Sequence, residues 1–71
     1  MHSTNYKSNV ADYDLLYIAQ TEKGLAVRRS EEHEMFWLPL SQVEFEEKEY
    51  KRHQIIKVTI PDWLAEKHDL A

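Results

Sequence analysis

The sequence predicts a small, mainly β domain: about five antiparallel strands forming a curved sheet or a partly open barrel, with a short C-terminal helix. Three observations carry that expectation. Residues 15–19 (LLYIA) form a continuous apolar run of strand length. Residues 35–45 place five large apolar side chains around a proline and then alternate as Val43, Glu44, Phe45, Glu46. Ile56, Val58 and Ile60 recur with period two before Pro61 opens a helix-like stretch.

Residues 1–11 (MHSTNYKSNVA) lack periodicity and read as a flexible tail, with Tyr6 and Val10 as candidate anchors. The apolar run at 15–19 suits a central strand covered on both faces rather than an exposed edge. Thr21, Glu22, Lys23 and Gly24 then make a polar turn. Gly24 is the only glycine in the chain, and its place at the end of the turn suggests a residue needing positive φ. The return strand spans residues 25–29, with Leu25 and Val27 on one face. A polar connection at 30–34 leads into Met35, Phe36, Trp37 and Leu38, which read mainly as core. Trp37 is the residue of that group also suited to anchoring an interface.

Pro39 removes a ladder donor and holds Leu38 extended, so regular pairing is expected to stop there. Residues 40–42 read as a helical turn or corner, where the Ser41 hydroxyl is expected to bond a backbone group. Val43 and Phe45 then point inward. After a charged turn at 47–50, residues 52–60 read as the last strand, with Ile55 on its second face and expected to be partly covered. Residues 61–70 read as a helix: Pro61 suits its first turn, Asp62 its positive end, and Lys67 and His68 its negative end. Ile60, Trp63, Leu64 and Lys67 share a stripe, so the Trp63–Leu64 side is expected to pack on the sheet.

A chain of 71 residues makes one domain, here residues 12–71 behind the tail. At this size folding buries only about 60% of the surface of the unfolded chain. There is no cysteine, so disulfides and thiolate metal sites are excluded and aromatic and aliphatic burial must supply the stability. No apolar run approaches the roughly 18 residues of a membrane span, and residues 1–9 carry no secretion signal. A soluble cytoplasmic protein is the expectation.

The residues Trp37-Leu38-Pro39-Leu40-Ser41-Gln42-Val43, followed by Ile60-Pro61-Asp62-Trp63-Leu64-Ala65-Glu66-Lys67, resemble small proteins of bacteriophages and other mobile elements. There a tryptophan, an aliphatic residue and a proline precede a Ser-Gln-aliphatic corner, and an Ile-Pro-x-Trp-Leu-Ala helix closes the chain. Glu22 to Val27 looks like their first hairpin, so the resemblance covers about residues 15–70. This chain departs from the pattern at Leu40, where those proteins often carry a base, and at Asp69-Leu70, where a glycine is usual. The resemblance implies a setting and a fold, not a reaction. Small acidic phage proteins are often inhibitors that occlude a host protein, which suggests the same role here by analogy.

Charge distribution supplies the candidate site. Net charge is −4, but residues 31–49 hold seven acids against the single base Lys48, so this segment is −6 and the rest of the chain +2. The acids are Glu31, Glu32, Glu34, Glu44, Glu46, Glu47 and Glu49. Apart from simple solvation, such a segment offers an acidic face to a basic partner, and a host nucleic-acid-binding protein would have one. The expected function is therefore that of a non-enzymatic protein-binding module, a phage-type inhibitor or modulator; pairing through an edge strand into a homodimer is a second form of it.

The alternative is a single-stranded nucleic-acid-binding barrel. It would use Arg28, Arg29, Lys51, Arg52 and Lys57 with exposed Tyr17, Phe36 and Tyr50, provided that the second and fifth strands are neighbours. No catalytic residue, metal site or cofactor is expected. His2, His33, His53 and His68 share no ligand spacing, Ser41 lacks a nucleophile motif, and one glycine cannot build a phosphate loop.

Overall fold

The computed structural model describes residues 9–70. Among them, β1 is Val10–Gln20, β2 Gly24–Arg28, β3 Phe36–Pro39, β4 Glu44–Phe45 and β5 Ile55–Pro61, with a 3₁₀ turn at Leu40–Gln42 and the helix α1 at Asp62–Lys67. All pairings are antiparallel, in the order β3-β2-β1-β5-β4, and the sheet is open. Val10 and Ala11, expected in the tail, belong to β1, where they pair with Pro61 and Ile60. Residues 1–8 of the expected tail, including Tyr6, lie outside the described residues.

The central strand is the longest. Residues 10–16 of β1 pair with β5 and residues 16–20 with β2, so Leu16 alone belongs to both ladders. The register with β2 shifts between Tyr17 and Ala19, a bulge that bends β1 where the two ladders meet.

The short link from β3 to β4 forces the sheet to curl. Pro39 lies level with the far end of β1, beyond the Gln20–Leu25 pair, whereas Glu44 lies level with Asp12 through Thr59. In a flat sheet these two residues would stand about 33 Å apart. The chain from Pro39 to Glu44 reaches about 18 Å even when fully extended, and less with a 3₁₀ turn in it. Right-handed twist of about 20–25° per strand pair turns β3 and β4 nearly perpendicular and brings the two ends within reach.

The concave face of the curl holds the core: Leu15, Leu25, Val27, Leu38, Val43, Ile56, Val58, Ile60, Leu64 and Ala65. Each fully buried Leu, Ile or Val contributes about 1.5–3 kcal/mol. Tyr13, Tyr17, Phe36, Leu40, Phe45 and Tyr50 pack against this cluster from its rim. The period-two face of Ile56, Val58 and Ile60 is therefore as expected, but Ile55 is 66% exposed rather than covered. The strand also starts at Ile55, because residues 51–54 are a turn closed by Gln54 N–H donating to the Lys51 carbonyl at 3.0 Å.

Helix α1 is shorter than residues 61–70. Pro61 is the last residue of β5 and the extended N-cap (φ −61°, ψ 148°), and the helix stops at Lys67. The docked residues are Leu64 and Ala65. Trp63, expected to pack on the sheet, is 57% exposed. Six residues cannot hold a helix alone; burial of Leu64 and the end of the chain hold this one. Leu70 N–H donates to the Ala65 carbonyl at 2.8 Å and Asp69 N–H to that of Glu66 at 3.1 Å, with Asp69 at φ 60°. This is the left-handed helix stop in which glycine is usual.

The glycine itself is used differently. Gly24 does not have positive φ. It opens β2, its N–H donates to Thr21 Oγ1 at 3.1 Å, and a Cβ there would lie 2.9 Å from Trp37 Cε3. The close approach of the indole, not the turn, excludes a side chain. Trp37 alternates away from Phe36 and Leu38 onto the convex face, where it pairs with Ala26 and stays 47% exposed. Ala26 and Ile18 are buried outside the main core cluster. Met35 is also exposed, so the segment 35–38 is only half core.

Among the described residues the other positive-φ residue is His53, at 72°. Its N–H donates to the Tyr17 carbonyl at 2.6 Å, while Tyr17 N–H donates to the Gln54 carbonyl at 2.8 Å. Two residues thus oppose one, in the bulge that normally places a left-handed glycine first.

Two stability outcomes are expected. Leu64→Ala should cost about 2–4 kcal/mol, and Trp63→Ala about 1 kcal/mol or less, in denaturant unfolding. Equal costs would show that Trp63 docks the helix after all. His53→Gly and Asp69→Gly should each stabilise by about 0.5–1 kcal/mol, since the relief of left-handed strain exceeds the entropy added to the unfolded chain. Lower melting temperatures for both would place these residues outside the left-handed region.

Candidate docking surface

The seven glutamates singled out by the sequence are all exposed and are divided between two connections of the sheet and the strand β4. Glu31, Glu32 and Glu34 lie in the connection between β2 and β3. Glu44 is on β4 at the opposite edge of the sheet, and Glu46, Glu47 and Glu49 follow it in the connection to β5. Three of them therefore precede the edge strand β3 and four lie on or after the edge strand β4.

The register builds a different acidic surface. Glu44 is opposite Thr59, and Thr59 is opposite Asp12, so all three side chains share the convex face. Asp14 lies two residues along from Asp12 on the same face, opposite Lys57. Thr59 Oγ1 donates to Asp12 Oδ1, tying β5 to β1. Beside this row Glu44, Phe45, Glu46, Lys57 and Thr59 line a shallow depression of about 410 Å³. Asp12, Asp14 and Glu44 thus share a face with Lys57, and Glu46 borders the same depression.

Very little of this charge is neutralised internally. Among the described residues the one ion pair is Lys48 Nζ to Glu46 Oε1 at 3.5 Å, and both side chains are exposed. Such a pair contributes at most about 1 kcal/mol. Lys57 sits across from Asp14 in register but makes no ion pair with it. Asp12 and Asp14 escaped the reading by chain segment, yet the sequence did carry a signal. The alternation Asp12-Tyr13-Asp14-Leu15 has the period of a half-exposed strand leading into the apolar run.

The basic set is dispersed. β1 stands between β2 and β5, so the condition for a common patch is not met. Arg28 is occupied locally: Nε donates to the Ser30 carbonyl at 2.9 Å and Nη2 to that of Glu31 at 2.6 Å. Arg29 Nη1 donates to the Asp69 carbonyl at 3.1 Å, joining the β2 end to the helix stop. Lys51 and Arg52 lie in the turn before β5, and Lys57 on the convex face among the acids. Tyr17, Phe36 and Tyr50 are packed on the core rather than presented as stacking platforms. Tyr17 and Tyr50 rings stand 5.4 Å apart, and the Tyr50 hydroxyl donates to the Glu46 carbonyl.

The histidines are scattered as well, and His2 lies outside the described residues. His33 Nδ1 is 2.7 Å from Ser30 Oγ in an exposed turn. His68 stacks on Phe36 with centroids 4.4 Å apart; burial lowers its pKa, Lys67 lowers it further and Asp69 opposes the shift. The ring is thus biased toward its neutral form and joins the end of the helix to β3 through Phe36. Among the described residues no three His, Asp or Glu side chains are grouped to hold a metal ion.

At the proline corner the Ser41 hydroxyl makes no backbone hydrogen bond among the described residues, contrary to expectation. Leu40 N–H, donating to the Lys23 carbonyl at 2.9 Å, pins the corner instead. No helix among the described residues is long and apolar enough to cross a membrane. No family model, curated protein or solved structure matches the chain, and its function is therefore read from the surface itself.

Proposed function

We propose that this chain is a non-enzymatic protein-binding domain that docks a basic partner surface on the acidic convex face formed by Asp12, Asp14, Glu44 and Glu46. The register of β1, β5 and β4 is the observation that carries the reading. It fixes Asp12, Asp14 and Glu44, from two strands, on one sheet face beside Lys57, with Glu46 at the rim of the same depression and paired to Lys48. Like charges held on one face repel, and a cationic partner relieves that repulsion while its approach is steered by the field. A rigid strand surface also costs little entropy to order on binding.

Glu31 extends this surface, since it borders a second depression with Asp14. Glu32, Glu34, Glu47 and Glu49 contribute to the field around it. A domain of this kind acts by occupying a partner's basic surface, which is how an inhibitor or modulator of a nucleic-acid-binding protein works. The phage-type role suggested by resemblance fits that mode of action.

The reading is checked by affinity capture from cell lysate at low and high salt, comparing the native chain with Glu44→Lys/Glu46→Lys. Both substitutions are on exposed side chains, so melting should change by no more than about 0.5 kcal/mol equivalent. The native chain should retain a basic partner at low salt and release it at high salt, and the variant should bind that partner about tenfold more weakly or worse. Unchanged capture by the variant at low salt would remove the acidic face as the site.

A further inference from the structure

The length mismatch between β1 and β2 leaves a gap in the sheet. β2 ends at Arg28 opposite Leu16, while β1 continues back to Val10 with a partner, among the described residues, on its β5 side only. Tyr17 exchanges both backbone bonds with residues 53 and 54, on the β5 side, and this fixes the direction of every residue before it. Ala11, Tyr13 and Leu15 turn their N–H and C=O groups to β5. Val10, Asp12 and Asp14 turn theirs into the gap. No backbone group among the described residues answers them, and α1 makes its main strand contact with β5.

An exposed edge of this kind is a template for another strand. A second copy of the chain is a poor occupant. Antiparallel pairing of two such edges about their centre would set Asp12 and Asp14 of one copy against those of the other, and directly opposed like charges destabilise a ladder. The same aspartates favour a strand that brings bases.

The head of the gap has a matching feature. Asp14, Leu15, Leu16, Arg29, Ser30, Glu31 and Ile55 border a depression of about 300 Å³. Leu16 and Ile55 are register partners on the convex face and form an apolar floor. The Asp14 and Glu31 carboxylates stand at its rim with no ion-pair partner among the described residues, and the Arg29 guanidinium is directed to the Asp69 carbonyl. Apolar floor and anionic rim together match one kind of side chain, a long aliphatic stem ending in a cation. They also give a use to Ile55, the most exposed large apolar residue described.

We infer that an extended segment of the partner adds to the open edge of β1 as a further strand, in line with β2. It places a lysine or arginine across Leu16 and Ile55 with its charge between Asp14 and Glu31. The inference rests on the protein-binding reading and specifies the partner's chemistry: a strand with bases at alternate positions and apolar residues between them. Main-chain bonds to Val10, Asp12 and Asp14 supply the affinity, and the depression sets the register of the added strand.

The test is an NMR titration of the full ¹⁵N-labelled chain with a capped hexapeptide of sequence Lys-Val-Arg-Val-Lys-Val. The expected result is shifted, exchange-slowed amides at Val10, Asp12 and Asp14. Binding should weaken about tenfold in Asp14→Asn and in Ile55→Ser, and disappear when alternate peptide nitrogens are methylated. Both variants alter exposed side chains, and their unperturbed spectra elsewhere will show that the fold is kept.

Shifts confined to Glu44, Glu46 and their neighbours, with the methylated peptide binding equally well, would overturn the added strand while leaving the acidic-face reading in place. No shift at any amide would also overturn it, and the Glu44→Lys/Glu46→Lys capture experiment then decides the broader reading separately. Concentration-dependent shifts at the same three amides without peptide would assign the edge to a second copy, contradicting the inference.

Discussion

A strand of eleven residues flanked by a five-residue and a seven-residue neighbour cannot be paired along its whole length on both sides, and β1 divides itself between them at Leu16. That division organises the molecule. The bulge after Leu16 bends β1, the bend starts the curl, and the curl lets residues 40–43 link strands at opposite edges of the sheet. The concave side then closes over Leu15, Leu25, Val27, Ile56, Val58 and Ile60, with Leu64 of the short helix added at one end. The convex side is left with the polar alternates of β1, β5 and β4, which bear the carboxylates.

The domain tolerates local strain to keep this arrangement. Its one glycine is placed where the Trp37 ring presses on the backbone, and the two left-handed positions among the described residues are filled by His53 and Asp69. Trp37 is large enough to shield the outer side of β2 while keeping nearly half its surface in water. In a chain too small for a second layer, this is an economical way to cover a strand without a helix. It also explains why a tryptophan beside Leu38 reads as core from sequence and stands on the surface in the fold.

The sequence makes the elements legible better than the partners. Period-two alternation at Ile56, Val58 and Ile60, the turn before Gly24 and the corner at Pro39 are local signals, and each lies where its pattern implies. Pairing between β1 and β5 joins residues 39 to 51 positions apart, and nothing local announces it. For that reason the acids of residues 31–49 were grouped by chain position, whereas the sheet brings Asp12 and Asp14 to Glu44. Trp63 misled for a related reason. A stripe on a six-residue helix is set by where the helix lands, and a buried Ala65 rotates the tryptophan outward. The tail boundary failed at Val10 because a single ladder with β5 orders a strand whose own composition is polar.

The most direct measurement is residue-resolved amide hydrogen exchange on the free chain along β1. The half-paired strand should alternate: Val10, Asp12 and Asp14 exchanging at close to unprotected rates, Ala11, Tyr13 and Leu15 slowly, and Leu16, which belongs to both ladders, slowly as well. Uniform protection from Val10 to Leu16 would mean that the open edge is already covered and would contradict the account. Alternation of the opposite parity would contradict it equally, by turning Ala11, Tyr13 and Leu15 into the gap.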